Sequence, residues 1–164
     1  MFISFETLPP EARIWVYTAS RAWTKEEEQK IYNSLTQFVE SWQSHQRPVK
    51  ASFQLVAQRI IIIAADETNF STSGCAIDGS VACLKNIEKE LQLSLLDRSN
   101  LLYQHENEWK SCTIVMAKTY VQEGEILPND LIVNVAITTV AQLATQLYQP
   151  AAESWLKRFF VLQT

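Results

Sequence analysis

The spacing of apolar and polar residues changes period several times along the chain, and each change predicts an element. Leu8-Pro9-Pro10 is a stiff segment because proline fixes its own φ and restricts its neighbour. Arg13-Ile14-Trp15-Val16-Tyr17 follows, rich in aromatic and β-branched residues, and predicts a strand. Thr24-Lys25-Glu26-Glu27 has the spacing of a capping box, with Thr24 as N-cap and Glu27 at the third helical position. Behind it, Ile31, Leu35, Phe38, Val39 and Trp42 fall on one stripe at helical period. Ala51–Val56 alternates, as a half-exposed strand does, whereas Ile60–Ala65 is apolar on both faces and predicts a central strand covered on both sides. A second helix is expected over Ser80–Leu91, with Val81, Leu84, Ile87 and Leu91 sharing a face. Leu101-Leu102-Tyr103 and Trp109–Thr113 then predict two short strands around the polar turn His105-Glu106-Asn107-Glu108.

Strand, helix, strand, strand, helix, strand is the split β-α-β order of ferredoxin-like folds, an α+β class. In that architecture the first and third strands are central, and here they are the two most continuously apolar segments. The remaining sequence adds to this core. Ile114–Val121 predicts a helix stopped by Gly124, and Leu131–Ile137 predicts a strand. Thr139-Val140-Ala141-Gln142 is a second capping box, and Pro150 with the amphipathic run Ser154–Phe160 predicts a last helix. The expected architecture is one domain, 1–164, with a ferredoxin-like β-α-β-β-α-β core and C-terminal strand and helix additions. Trp15, Phe38, Trp42, Ile61, Ile63 and Leu84 are its expected core.

Composition narrows the function classes. Hydrophobic residues make up 47% and charged residues 20% of the 164, the balance of an ordinary globular domain. The 14 basic and 18 acidic residues give a formal net charge of −4, which argues against nonspecific nucleic-acid binding. The longest apolar run, Ile60–Ala65, is far short of the ~20 residues a membrane-spanning helix needs, so no membrane insertion is expected. Met1–Pro10 carries Glu6 and two prolines but no basic residue, unlike a secretory signal, and a cytoplasmic setting is expected. Three cysteines, Cys75, Cys83 and Cys112, form no CxxC pair. His45 and His105 each sit in a polar stretch and read as solvated, so neither a metal nor a cofactor is expected. Trp23 and Trp109 also lie among polar residues and are the expected exposed aromatic pair.

Chemistry concentrates in one segment. Of only three glycines, Gly74 and Gly79 bracket Cys75-Ala76-Ile77-Asp78, in the stretch Thr72–Ser80 between an apolar strand and a helix start. The spacing copies the outline of a phosphate-binding P-loop, but the place of its lysine is taken by Ser80. A tight loop feeding a helix start would offer free N–H groups to a small anion, with Ser73, Gly74, Cys75, Asp78, Gly79 and Ser80 as candidate ligand-binding residues. Asp78 is equally an N-cap for the helix, which would fill the same positive end with its own carboxylate. Cys75 is the candidate catalytic residue, as a thiolate favoured by the helix start, with Cys83 as a resolving partner if the loop folds back; the plainer reading is a small buried apolar side chain.

The segments Arg13–Tyr17, Lys50–Phe53, Ser73–Ser80, Leu96-Asp97-Arg98, Thr138-Thr139 and Ser154–Phe159 resemble, over nearly the whole chain, a family of small uncharacterised bacterial proteins that often carry the label "ABC transporter ATPase". The resemblance implies a bacterial source and adds nucleotide hydrolysis to the activities to weigh. It transfers no catalytic residue, because the P-loop lysine and an LSGGQ-like signature are missing from this sequence. The expected function is therefore a binding or interaction protein whose partner is a small anion or another protein. A thiol-dependent enzyme or redox sensor using Cys75 is the alternative, and a nucleotide-hydrolysing enzyme the weaker one.

Overall fold

A computed structural model describes residues 1–161, so the last three residues of the expected domain span, 162–164, lie outside the described residues. The chain is α+β. Its first strand, β1 (Arg13–Thr18), leads to α1 (Lys25–Ser41) and a small hairpin of β2 (Gln43–Ser44) and β3 (Arg47–Pro48). Next come β4 (Ala51–Val56), β5 (Ile60–Ala65), α2 (Gly74–Leu91), β6 (Asn100–His105) and β7 (Glu108–Thr113). The last part holds α3 (Ile114–Gln122), β8 (Leu131–Val133), α4 (Val140–Gln146), β9 (Tyr148–Pro150) and α5 (Lys157–Val161).

Local chemistry explains the main boundaries. The capping box at Thr24 forms in full: Glu27 N–H donates to Thr24 Oγ1 at 3.1 Å and the Glu27 carboxylate accepts from Thr24 N–H at 2.9 Å. Arg21 also grips that carboxylate, and the two contacts hold its pKa down to about 2. Ile31, Leu35 and Val39 are the buried stripe of α1. α3 closes at Gly124, whose φ of 78° is the left-handed conformation glycine adopts without a Cβ clash. Three two-residue hairpin turns, His45-Gln46, Ala57-Gln58 and Glu106-Asn107, have positive φ at both positions. None contains glycine, the residue that most often marks such turns, and only the Glu106-Asn107 turn is among those the sequence predicts.

β1, β5 and β4 form an antiparallel sheet in that order, with Trp15 opposite Ile63 and Phe53 also opposite Ile63. A ferredoxin-like sheet would place the strand after α2 at the open edge of β1. Instead, β6 pairs with β7 and β8 in a second antiparallel sheet of order β7-β6-β8-β9. The edge of β1 is already occupied. Ile14 N–H donates to Thr138 O at 2.9 Å, and Arg98 Nη1 donates to Val16 O at 2.9 Å.

The two sheets stack, and helices cover their outer faces. Alternate residues of β5 make this visible: Ile61, Ile63 and Ala65 join the core under α1 and α2, while Ile60, Ile62 and Ala64 pack with Leu102 and Val133 of the second sheet. Leu101, Tyr103 and Ile132 face the other way, toward Ala117 and Val121 of α3 and the C-terminal segment. The result is helix layer, sheet, sheet, helix layer. Each of the four isoleucines of β5 is at most 1% exposed. At about 1.5–3 kcal/mol each they contribute an amount comparable to the whole net stability of a typical domain.

Several expectations need correction. α2 begins at Gly74, not Ser80, so the glycine-bracketed segment is its first turns rather than a loop. β8 stops at Val133 rather than Ile137, because Asn134 turns the chain: its Oδ1 accepts from Ala136 N–H at 3.0 Å. Trp23 is 1% exposed, with its indole N–H donating to Glu28 at 2.7 Å, and Trp109 is half-buried against Tyr148. Trp42, Ile61, Ile63 and Leu84 are buried as expected, whereas Trp15 and Phe38 are only partly so.

Candidate functional site

The start of α2 is bound tightly into the protein. Ser73 is the N-cap, its hydroxyl accepting from Ala76 N–H at 3.2 Å. Its own N–H donates to Ser44 Oγ at 3.0 Å, and the Trp42 indole N–H donates to Ala76 O at 2.8 Å. Ser80 is buried and donates to Ile77 O at 2.6 Å. Asp78 lies one turn inside the helix, exposed, so it is not the cap. Gly74 has open space where a Cβ would be, and Gly79 faces Phe38 of α1 at 3.7 Å, an ordinary contact. A Cβ would thus fit at either position, and Gly79 lies where α2 faces α1.

Cys75 is the second residue of α2 and exposed. Cys83 is eight positions along the same helix. At about 1.5 Å rise per residue they are separated by about 12 Å, too far for a disulfide, so Cys83 cannot act as a resolving partner without unwinding the helix. Burial pushes the thiols of Cys83 and Cys112 up to about 11.

His105 also differs from its sequence reading. Its Nδ1 lies 2.8 Å from Asp130 Oδ2, and both side chains are mostly buried. The same carboxylate oxygen accepts from Leu127 N–H at 2.7 Å. The pair thus pins the β6–β7 hairpin to the turn before β8.

Arg47, Arg59, Arg98 and Arg158 have no carboxylate partner among the described residues, and Arg59 and Arg98 differ most in what they have left to give. Arg59, 7% exposed, donates to the carbonyls of Ala19, Ser20 and Trp109 and to the Ser111 hydroxyl, and burial lowers its pKa. Arg98 is exposed and makes a single hydrogen bond, from Nη1 to Val16 O. Its guanidinium lies 4.9 Å over the Tyr17 ring, so it is oriented from below while Nε and Nη2 have no partner among the described residues.

Arg98 stands at a cavity of about 140 Å³ beside β8, where the first sheet parts from the second. Asn100, Asn134 and Gln149 add amides to its wall, and Leu101, Ile132, Val133 and Val135 make the rest apolar. Ile114 and Trp155, both over 40% exposed, stand beside them. Trp155 is edge-on to Phe159 at 6.1 Å, with Arg158 packed over both rings. Asn100 is held by Thr18 Oγ1 at 3.0 Å and Asn134 through its Oδ1, and among the described residues the Asn134 amide N–H groups and the Gln149 amide have no partner. Sequence reasoning did not find this site. The one signal was Leu96-Asp97-Arg98 among the segments of resemblance, which carries no chemistry until the fold brings β8 and β9 beside it.

A larger groove of about 400 Å³ runs between α1 and α2, but Ser34, Gln37, Phe38, Cys83 and Asn86 along it include no cation. Among the described residues no three His, Cys, Asp or Glu side chains converge as metal ligands would. No helix of the described residues is long and apolar enough to cross a membrane. Comparison of the chain with protein-family models, with curated proteins and with solved structures gives no match.

Proposed function

We propose that this chain is a non-catalytic binding protein whose ligand is a small anion seated at Arg98, not at the start of α2. One observation carries the reading: a guanidinium held by a backbone carbonyl and an aromatic ring, with two donor nitrogens and nearby amides unpaired among the described residues, in the lining of a cavity. A charged group in that state is preorganised for an anion, because little further ordering is needed on binding. Two hydroxyls expected to meet a ligand at the start of α2 are spent on structure instead: Ser73 caps the helix and Ser80 donates to Ile77 O. The test is a thermal-shift titration with phosphate, sulfate and small carboxylates at low ionic strength. A ligand-dependent rise in Tm is expected in the parent and absent in Arg98→Gln; equal responses in the two would sink the assignment.

A second reading keeps Cys75 as a reactive thiol. It is supported by the exposure of that residue alone among the three cysteines, on the first turn of α2. Nucleotide hydrolysis has less support, since the groove between α1 and α2 offers no cation to a polyphosphate. For setting and fold, the finer proposals are a bacterial cytosol, in keeping with three unpaired cysteines, and a ferredoxin-like half in β1, α1, β4 and β5, supported by the strand order β1-β5-β4.

A further inference from the structure

Resting on the anion reading above, we infer that the ligand of the Arg98 cavity is a monocarboxylate with a short aliphatic body, either a free branched-chain acid or the aliphatic C-terminal residue of a peptide. Three observations combine. First, among the described residues Arg98 is the one charged side chain lining the cavity, so a single negative charge is matched and a phosphate dianion is not. The planar fork of a guanidinium fits a carboxylate with two parallel hydrogen bonds, and Nε and Nη2 form the edge that remains free.

Second, much of the cavity wall is apolar. Leu101, Ile132, Val133 and Val135 offer nothing to the hydrated oxygens of an inorganic anion and favour a hydrocarbon body. Third, the space is small. At water's share of about 30 Å³, a cavity of about 140 Å³ holds about five non-hydrogen atoms. Typical sites for drug-sized ligands begin at about 300 Å³, so a nucleotide is excluded from this cavity by size as well as by charge. A carboxylate resting on Arg98 at the mouth, with three to five carbons inside, satisfies all three. The unengaged amides of Asn134 and Gln149 are placed to take a second polar atom near the carboxylate, such as the amide of a peptide terminus.

The experiment is calorimetric titration of the whole chain with isovalerate, acetate, inorganic phosphate, isovaleramide and N-acetylvaline. Isovalerate is expected to bind at least about tenfold tighter than acetate, which lacks the three carbons that would be buried, than phosphate, which has no apolar body, and than isovaleramide, which lacks the charge. N-Acetylvaline binding tighter than isovalerate assigns the peptide terminus as the source, and the reverse assigns the free acid. Arg98→Gln should abolish the preference for acid over amide. Because Arg98 also braces β1, Ala136→Phe serves as the second variant: it adds bulk at the cavity wall and keeps the guanidinium, and should weaken isovalerate binding while leaving Tm near the parent value. Phosphate or acetate binding as tightly as isovalerate, dependent on Arg98, overturns the inference and leaves the anion reading standing. No binding by any anion overturns both, and isovalerate binding unchanged by Ala136→Phe overturns the location.

Discussion

The start of α2 and the mouth of the Arg98 cavity are built from similar groups, hydroxyls or amides near a local positive charge, and they differ in how much of that capacity is already used. At α2 the positive end of the helix is answered by Ser73, Ser73 is answered by Ser44, and Trp42 closes the first turn from the side. At Arg98 one donor is answered and the others are not. A glycine pair and a P-loop-like spacing made the first place conspicuous in the sequence; unspent hydrogen-bonding capacity marks the second in the structure. Motif and site are separate properties. A short motif reports what a backbone needs locally, whereas a binding site requires polar groups the fold has oriented but not satisfied.

The largest expected effect tests the claim that the α2 start is structural. Trp42 is 3% exposed, caps α1, stacks with Phe38 and bonds Ala76 O. Trp42→Ala should cost about 3–5 kcal/mol, read as a shift of the denaturation midpoint at constant slope. A cost below about 1 kcal/mol would mean the α2 start is not anchored there. Next in size is the cap. Ser73→Ala removes the acceptor for Ala76 N–H and should cost about 1 kcal/mol, with no change in anion affinity. If the variant lost anion binding instead, the contrast between the two places would reverse.

A smaller effect of opposite sign follows at Gly79. A methyl group there would meet Phe38 at 3.7 Å in ordinary contact, and the residue has no left-handed φ to protect. Gly79→Ala should therefore stabilise the protein, by about 0.5–1 kcal/mol, through lower unfolded-state entropy and better helix propensity. A loop that needed glycine would respond with destabilisation.

How much was legible beforehand depended on how local the cause was. The capping box at Thr24, the α1 stripe and the doubly covered strand at Ile60–Ala65 rest on neighbours in sequence, and all three are present. The inference that β5 is covered on both faces was in tension with a ferredoxin-like sheet, which leaves one face open. The tension resolves in favour of the strand, because the second sheet supplies the other cover. That strand's six buried residues were thus better evidence about the fold than the order of elements. The α2 start was misplaced because Gly-rich sequence reads as loop by propensity, while Ser44 and Trp42, about thirty residues earlier, hold it helical. Trp23 and His105 looked exposed among polar neighbours, yet Glu28 and Asp130 bury their polar atoms with them. The Arg98 cavity was the least legible, since β6, β8 and β9 meet there only through tertiary pairing.

The smallest effect expected on stability is at Cys75, and it separates the two functional readings. Cys75 is exposed, whereas Cys83 is half-buried with its Sγ toward Ser34 O and Cys112 is buried. Their burial holds both of the latter thiols as far up as about 11, so near pH 8 they are almost wholly protonated as well as shielded. A chromogenic disulfide reagent at pH 8 should therefore titrate one thiol in the native protein and all three in denaturant. Cys75→Ser should remove the native reaction and move the unfolding free energy by less than about 0.5 kcal/mol, because an exposed side chain without packing contributes little. On the binding reading the variant retains full anion affinity at Arg98, since the thiol belongs to a different part of the molecule. Loss of anion affinity on modifying Cys75 in the parent, but not in Cys75→Ser, would instead show that the thiol controls the cavity and would move the redox reading ahead of the simple binding one.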